Sequence, residues 1–294
     1  MSPPSLIFDR SLLRRRLLHA IKAGGADFML RAAIDDIVKR LDLIIRDFPS
    51  VLDIGTPSPG LCERLARPGR CIARMAPFER TAAGATLSVV GDEEALPFAP
   101  ECFDLAVSAL SLQTVNDLPG ALVQIRRVLK PDGLFLGCLF GGQTLRELRN
   151  ALAFAETELC GGVSPRVAPF ADVRDMGQLL QRAGFALPVA DSEPLTVRYR
   201  DMFALMADLR AMGGANALVG RIRKPSSRRL FLRAAEIYAE RFGDADGRVR
   251  ASFELIFISG WAPHERQQKP LRPGSAKMRL EDALRGKPPS QEKE

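Results

Sequence analysis

The sequence predicts an α/β fold built on a seven-stranded, mostly parallel sheet. Five short apolar runs alternate with helical segments between residues 51 and 140. This alternation is typical of βαβ units, whose parallel sheet is covered by helices on both faces. Two more strand-like runs follow at 187–199 and 253–261, with helical sequence between them. We therefore expect a Rossmann-like sheet extended by two late strands, in the order 3-2-1-4-5-7-6.

The first five strands follow directly from the hydrophobic pattern. They are predicted at 51–55, 71–75, 86–90, 103–110 and 134–140. The clearest helix covers residues 117–129, where apolar residues recur at helical spacing, and Asn116 or Asp117 supplies its N-cap. Further helices are expected at 143–159 and 172–182. The sixth strand, 187–199, is expected to contain a bulge at Pro194.

Helical sequence also precedes the sheet and interrupts its last two strands. Residues 1–48 form a predicted N-terminal helical segment, divided by Gly24 and Gly25. A helical insertion is predicted at 201–241. Because open α/β sheets bind ligands at the carboxyl ends of their strands, we expect this insertion to cover a ligand cleft. The main domain then spans 49–262, and 263–294 is expected to be a basic, disordered tail.

Composition restricts the class of protein. The chain has 294 residues, 46% of them hydrophobic and 26% charged, which is ordinary for a soluble globular protein. It contains no apolar run of the ~20 residues that span a bilayer and no apolar secretory signal, so we expect a cytoplasmic protein. Five cysteines without a C-x-x-C pair and two histidines predict no metal site.

The charge balance indicates a basic contact surface. The formal net charge is +7, with the excess in Arg14–Arg16, in 221–233 and in the tail beyond Lys269. No aromatic residues are interleaved with these basic residues, so we expect no nucleic-acid partner. An acidic protein or a membrane surface is the favoured partner. The insertion is expected to expose Arg221, Arg223, Lys224, Arg228 and Arg229.

Three segments that end strands carry the candidate cofactor residues. The run VLDIGTPSPG ends the first strand, and Asp53, Gly55 and Gly60 are its candidates because glycine lets backbone approach a ligand closely. Asp92 and Glu93 follow the third strand, where a carboxylate can accept a hydrogen bond from an adenine amine. Ser108 ends the fourth strand, where a small residue lets a ligand lie against the backbone.

The segment after the fifth strand, GGQTLRELR, supplies a candidate substrate-facing wall. Gln143, Thr144 and Arg149 are its candidate residues, because they follow the carboxyl end of a central strand. An alternative reading is purely structural, with Thr144 capping a helix and Arg149 pairing with Glu147 or solvent. No residue set in the chain identifies a catalytic group by itself.

Several motifs carry a resemblance to a known family. FDRSLLRRR, DEEALPF, SALSLQTVNDLPGAL, LKPDGLF, FGGQTLRELR and ISGWAPHE run in order from residue 8 to residue 265. Together they resemble the complex I assembly factor 5 family. More distantly, the chain is similar to malonyl-acyl carrier protein methyltransferase.

The resemblance implies a class I methyltransferase fold with S-adenosyl-L-methionine as cofactor. It implies an iron–sulfur subunit of respiratory complex I as partner, because mitochondrial family members are linked to hydroxylation of an arginine on that subunit. The leading hypothesis is therefore an assembly factor that acts on or binds such a subunit. The alternatives are an active methyltransferase on a small molecule or protein, and a catalytically inactive scaffold.

The chain departs from the family where the cofactor is expected. The family reads D-x-G-C-G-x-G, whereas this chain has Pro57 and Pro59, which carry no N–H, after Gly55. Arg74 stands in place of the acidic residue that binds the ribose hydroxyls, and arginine has no acceptor. Arg74 indicates a phosphate-bearing ligand, an internal ion pair, or an adenosyl site that is weakened or lost.

Overall fold

A computed structural model describes residues 6–78 and 83–268. Its sheet contains seven strands within these residues, in the order β3-β2-β1-β4-β5-β7-β6. The predicted strand order is therefore confirmed. The strands are β1 Ser50–Ile54, β2 Cys71–Ala76, β3 Leu87–Val90, β4 Phe103–Ala109, β5 Leu129–Phe140, β6 Ala186–Tyr199 and β7 Val249–Trp261. Most of the predicted tail, from residue 269 onward, lies outside the described residues.

The helices follow the predicted segments closely. They are α1 Arg10–Lys22, α2 Phe28–Asp42, α3 Gly60–Leu65, α4 Leu118–Val128, α5 Arg146–Cys160, α6 Val173–Arg182, α7 Met202–Ala211 and α8 Arg228–Phe242. Asp117 caps α4, since its carboxylate accepts from the Gly120 N–H. None of these helices is long and apolar enough to cross a lipid bilayer.

The central strands are buried on both faces of the sheet. Successive residues of β1 alternate between the two faces, so that Val51 packs with α2 and α3 while Leu52 packs with the layer that contains α4 and α6. β1 pairs in parallel with β2 and β4, and β7 lies antiparallel between β5 and β6. The carboxyl ends of β1 to β5 therefore meet at one edge of the sheet.

Two expectations about the late elements are wrong. Pro194 pairs regularly with Glu254, and the irregularity of β6 lies between Ala186 and Val189 instead. Pro194 is tolerated because β6 is an edge strand, where a missing N–H removes no ladder hydrogen bond. In addition, α8 packs into the core against α5 through Leu230 and Tyr238, so only the earlier part of the insertion reaches the cleft.

Two glycine substitutions should change stability in opposite directions. Gly177 lies inside α6 and a Cβ there would meet nothing within 4 Å, so Gly177→Ala should stabilise the fold by about 0.5–1 kcal/mol. On β7, a Cβ at Gly260 would lie 2.8 Å from the Phe185 Cβ. Gly260→Ala should therefore cost about 1–3 kcal/mol. Urea unfolding measures both, and a neutral Gly260→Ala would show that Phe185 is not tightly packed.

Candidate ligand site at the carboxyl ends of the strands

A cavity of about 260 Å³ lies at the carboxyl ends of the strands. Its sheet side is formed by Gly55 after β1, Glu93 after β3, Ser111 after β4 and Thr144 after β5. The other lining residues come mainly from α1 with the turn before it, from 209–218 of the insertion, from α2 and from 166–170. The insertion thus lines the cleft, as the sequence predicts, but it shares that position with the N-terminal helix.

The loop after β1 turns sharply at Gly55. This residue has φ +70°, and a Cβ there would lie 2.3 Å from Ser111 Oγ, so only glycine fits. Its N–H donates to the Met75 carbonyl at 2.8 Å. Pro57 faces the cavity, while Pro59 stands at the N-cap of α3. Gly60 begins α3 and is not among the cavity-lining residues.

Asp53 and Arg74 form a buried pair beneath this loop. The two residues are neighbours in the parallel register of β1 and β2, and their side chains are 0% and 2% exposed. Arg74 Nε lies 3.7 Å from Asp53 Oδ2, and Arg74 Nη2 donates to the Thr56 carbonyl at 2.9 Å. Of the three alternatives for Arg74, the structure therefore has the internal ion pair.

Burial dominates the electrostatics of Asp53. It raises the pKa of Asp53 to about 6, although Thr56 and Arg74 act in the opposite direction. The thiol of Cys62 donates to Asp53 Oδ2 at 3.2 Å, and burial raises the pKa of that thiol as well. Asp53 Oδ1 has no hydrogen-bond partner. The carboxylate does not line the cavity, so it supports the loop from below.

Two arginines of α1 form ion pairs with the acidic turn 92–94, which follows β3. Arg10 Nη1 lies 2.9 Å from Asp92 Oδ1 and 3.1 Å from Glu94 Oε1, and Arg10 Nη2 contacts Glu93. Arg14 Nη2 lies 2.5 Å from Asp92 Oδ2. We call these five residues the arginine clasp. It links the N-terminal helix directly to the carboxylates predicted to face a cofactor.

The clasp changes the properties of these carboxylates. Burial alone would raise the pKa of Asp92, but the Glu94 N–H and the two arginines outweigh it and lower that pKa below its usual value. The second oxygen of Glu93 accepts from Ser111 Oγ at 2.7 Å. Asp92 is therefore ionised, and all three carboxylates of the turn are engaged within the protein.

Ser108 lies inside the sheet rather than in the cleft. It is fully buried and its hydroxyl donates to the Ile54 carbonyl at 2.8 Å. Ser111, three residues later, lines the cavity instead. The difference arises because Leu110 adopts φ +50°, which turns the chain at the end of β4 and points the following residue into the cleft.

Only one of the three candidate wall residues faces the cavity. Thr144 is buried, lines the cavity, and its hydroxyl accepts from the Glu254 N–H at 3.0 Å. Gln143 is exposed, and its N–H donates to Glu254 Oε2. Arg149 donates to the carbonyls of Gly142, Thr144 and Ala168 at 3.3–3.4 Å. Arg149 therefore braces the loop after β5.

The basic surface of the insertion is largely as predicted. Arg223, Lys224, Arg228 and Arg229 are exposed. Arg221 is the exception, because it is half-buried, donates to the Leu218 carbonyl and lies 3.3 Å from Asp9 Oδ2. In residues 6–78 and 83–268, no three histidine, cysteine or acidic side chains are grouped so that they could hold a metal ion.

Sequence reasoning missed Arg10 and Ser111, and it assigned Arg14 to an exterior basic surface. Arg10 and Arg14 are four residues apart in a predicted helix, so they share a face, and this spacing was the available signal. No pattern in the sequence distinguishes Ser111 from Ser108 as the residue that faces the cleft.

Comparisons with known proteins agree with the fold. A family profile described as a methyltransferase domain matches residues 52–137. Among solved structures, the YcgJ protein of Bacillus subtilis superposes with a TM-score of 0.54 at 15% identity, covering 80% of this chain and 99% of that one. A methyltransferase candidate from Bacillus halodurans gives 0.52 at 17%, covering 78% and 100%. The chain therefore has the class I methyltransferase fold.

Curated relatives match over nearly the whole chain. The arginine-hydroxylase NDUFAF5 of Danio rerio is 37% identical over 94% of this chain and 89% of its own length. The Homo sapiens protein of that name is 41% identical over 94% and 83%. A malonyl-[acyl-carrier protein] O-methyltransferase from Methylovorus is 32% identical over 92% and 95%. The chain belongs to the family of the arginine-hydroxylase NDUFAF5.

These relatives correct the expected location. The sequence was expected to be cytoplasmic because it lacks a recognisable secretory signal and a membrane span. The NDUFAF5 proteins that align over most of the chain are named as mitochondrial. The cytoplasmic expectation is therefore wrong, since the lack of those two signals did not indicate the compartment.

The buried carboxylate of Asp53 should make stability depend on pH. Its folded pKa of about 6 lies above the ordinary value of 3.8, so the stability it contributes is full below pH 3.8 and is lost as the pH rises through 6. That loss is on the order of 3 kcal/mol. The free energy of unfolding of Asp53→Asn, measured with urea at each pH, should therefore rise relative to that of the parent protein as the pH increases from 4 to 7.

Asp104 provides a control of opposite sign. Burial alone would raise its pKa, but Ser50 and Lys130 lower it overall, so its contribution is present above pH 3.8 and lost as the pH falls. Asp104→Asn should therefore be less stable than the parent by a nearly constant amount between pH 4 and pH 7, and the difference should shrink only as the pH falls below 3.8. Parallel curves for the two variants would contradict the assignment of Asp53.

Proposed function

We propose that this chain is an assembly factor of methyltransferase fold that acts on or binds a subunit of respiratory complex I. We propose further that its site for S-adenosyl-L-methionine is degenerate. The observation that carries the second part is the burial of Arg74 against Asp53. Membership of the NDUFAF5 family supports the first part.

By the family resemblance, Arg74 stands in place of the acidic residue that binds the ribose hydroxyls. Its guanidinium has no acceptor, and it is committed to Asp53 and to the Thr56 carbonyl. Losing a carboxylate–diol contact costs about 2–3 kcal/mol, since hydrogen bonds to charged groups contribute ~1.5–3 kcal/mol each. This corresponds to roughly a hundredfold in Kd.

Two further features support a degenerate site. Pro57 and Pro59 cannot donate hydrogen bonds, and Pro57 occupies the cavity wall that a glycine loop would leave open. The cavity of about 260 Å³ is smaller than the ~300–1,000 Å³ typical of small-molecule sites. In this arrangement the residues offer S-adenosyl-L-methionine only a weakened site, so we assign no methyl-transfer step to them.

The target of the proposed activity is suggested by the relatives' name. That name describes arginine hydroxylation, which supports an arginine side chain as the proposed target. The iron–sulfur subunit is the partner that the family resemblance implies. The exposed basic residues Arg223, Lys224, Arg228 and Arg229 lie on the insertion that also lines the cleft. They would suit an acidic protein surface, or an anionic membrane surface, beside the target.

An active methyltransferase is the second candidate. The 32% identity to a malonyl-[acyl-carrier protein] O-methyltransferase over 92% of the chain favours it. In this case S-adenosyl-L-methionine would bind despite Arg74, and a small molecule or protein would be methylated. A scaffold without catalytic activity would bind the subunit alone.

Calorimetric titration with S-adenosyl-L-methionine tests the degenerate site. The parent protein should bind weakly, and combining Arg74→Asp with Pro57→Gly and Pro59→Gly should tighten binding at least about tenfold. Asp92→Ala should weaken whatever binding remains, because it removes the predicted acceptor for the adenine amine. Arg74→Asp alone places a second carboxylate beside Asp53, so thermal unfolding of each variant must accompany its titration.

The proposal of a degenerate site fails on a clear outcome. Parent protein that binds the cofactor with a Kd of about 10 μM or less, together with no change in the triple variant, would refute it. Transfer of a labelled methyl group to an added acceptor would favour the second candidate.

Charge reversal of the basic surface tests the partner. Changing Arg223, Lys224, Arg228 and Arg229 to glutamate should weaken binding to an acidic subunit or to anionic vesicles, and added salt should do the same. Arg198→Glu is a control, because Arg198 is also exposed but pairs with Asp244 and Asp246. Binding that does not respond to salt would contradict the assignment of the basic surface as the partner site. An equal loss of binding in the Arg198→Glu control would contradict it as well.

A further inference from the structure

We propose that α1 is a lid over the candidate cofactor site and that the arginine clasp holds it shut. This inference concerns the regulation of the same site and rests on the proposed function for the identity of the ligand. The clasp is formed by Arg10, Arg14, Asp92, Glu93 and Glu94. It joins a helix at the start of the chain to the turn after β3.

The clasp competes directly for the predicted ligand acceptors. Asp92 Oδ1 already accepts from the Glu94 N–H at 2.9 Å and faces Arg10, while Oδ2 faces Arg14. Each carboxylate oxygen has about two acceptor positions. Oδ1 accepts one hydrogen bond, from the Glu94 N–H, and Oδ2 accepts one, from Arg14 Nη2, while Arg10 Nη1 lies 2.9 Å from Oδ1. A ligand amine at Asp92 must therefore enter beside both guanidinium groups or displace one of them.

The cavity is lined in part by the lid. Phe8, Leu13 and Leu17, from α1 and the turn before it, are among its lining residues. The cavity measures about 260 Å³, below the ~300–1,000 Å³ of sites for drug-sized ligands. Opening of α1 would enlarge it for a ligand of that size.

α1 is weakly attached to the core, which makes the clasp important for its position. The helix buries only Ala20, whereas α2 buries five residues. The two helices are separated by a sharp turn at Gly24, which has φ +77°. An element with few buried contacts opens at a lower free energy than the core.

Besides the buried Phe8 and the contact of Leu17 with Gly213, α1 and its preceding turn are held by polar contacts. Asn116 Oδ1 accepts from the N–H groups of Ile7 and Phe8 at 2.9 and 2.8 Å. The Asp9 N–H donates to the Ala217 carbonyl at 2.8 Å. These bonds can exchange with water when the lid opens, so removing the clasp should shift the equilibrium toward the open state.

Hydrogen–deuterium exchange of the full chain tests the lid without any ligand. In the double variant Arg10→Gln with Arg14→Gln, peptides covering 6–22 and the cleft loops 55–59 and 110–114 should exchange at least about threefold faster. Peptides covering α2 should not change. In the parent protein, raising the salt from about 0.05 M to about 0.5 M should also speed exchange of 6–22.

Arg40→Gln is the matched control. Arg40 is a half-buried arginine that also bridges two carboxylates, Asp36 and Asp191, but it lies on α2 away from the cleft. Its removal should leave exchange of 6–22 at the parent rate. Faster exchange of 6–22 in this control would mean that loss of a bridging arginine destabilises the whole fold. The faster exchange of the double variant would then not indicate a lid, and the proposal would be overturned.

Titration with S-adenosyl-L-methionine provides the second measurement. The double variant should bind about three- to tenfold more tightly than the parent, because less free energy is spent on opening. Unchanged exchange of 6–22 overturns the lid whatever the affinity is. Faster exchange with weaker binding also overturns it, since the arginines would then be ligand contacts. Faster exchange with no binding by either protein upholds the lid and agrees with a degenerate cofactor site, whereas faster exchange with a parent Kd of about 10 μM or less upholds the lid and overturns the degenerate site.

Discussion

The carboxylate of Asp53 sits fully buried beneath the loop after β1, and the shape of the cleft depends on how that charge is compensated. Arg74 lies beside it because β1 and β2 pair in parallel register. The same guanidinium holds the Thr56 carbonyl, so one ion pair sets the path of the loop. Removing one partner of a buried pair leaves an uncompensated charge, which typically costs ~3–5 kcal/mol.

The cleft above this pair is closed by two kinds of interaction. On the sheet side, Gly55 and Ser111 are in such close approach that no larger residue fits at position 55. On the opposite side, α1 contributes one buried residue and is held mainly by ion pairs and backbone hydrogen bonds. The strength of ion pairs depends on salt and on neighbouring charges, whereas the apolar packing of the sheet depends on them much less.

The fold does not assign the reaction by itself. Many methyltransferases share this sheet, and function depends on the groups placed at the strand ends. Here those groups are two prolines, a buried arginine and an acidic turn engaged by the arginine clasp. A family named for arginine hydroxylation and more distant relatives named as methyltransferases are both compatible with this fold.

The position of each strand could be predicted because hydrophobic periodicity is a property of contiguous residues. The strand order was predicted from the alternation of five strands with helices and from the two late strands that follow them. Even the long insertion between the last two strands was visible in the sequence. The position of Gly55 at the cleft was predictable for a related reason, since a glycine that directly follows a buried strand marks a tight turn.

The sequence by itself thus determined the sheet, its helices and the edge at which a ligand would bind. Only the tertiary structure decided which charged groups meet there. Arg10 and Glu93 are 83 residues apart, and the chain offers many other carboxylates with which Arg10 could pair. Likewise, the choice between Ser111 and Ser108 depends on one backbone turn at Leu110. Such partners follow from strand register and from the packing of distant segments, which local patterns do not encode.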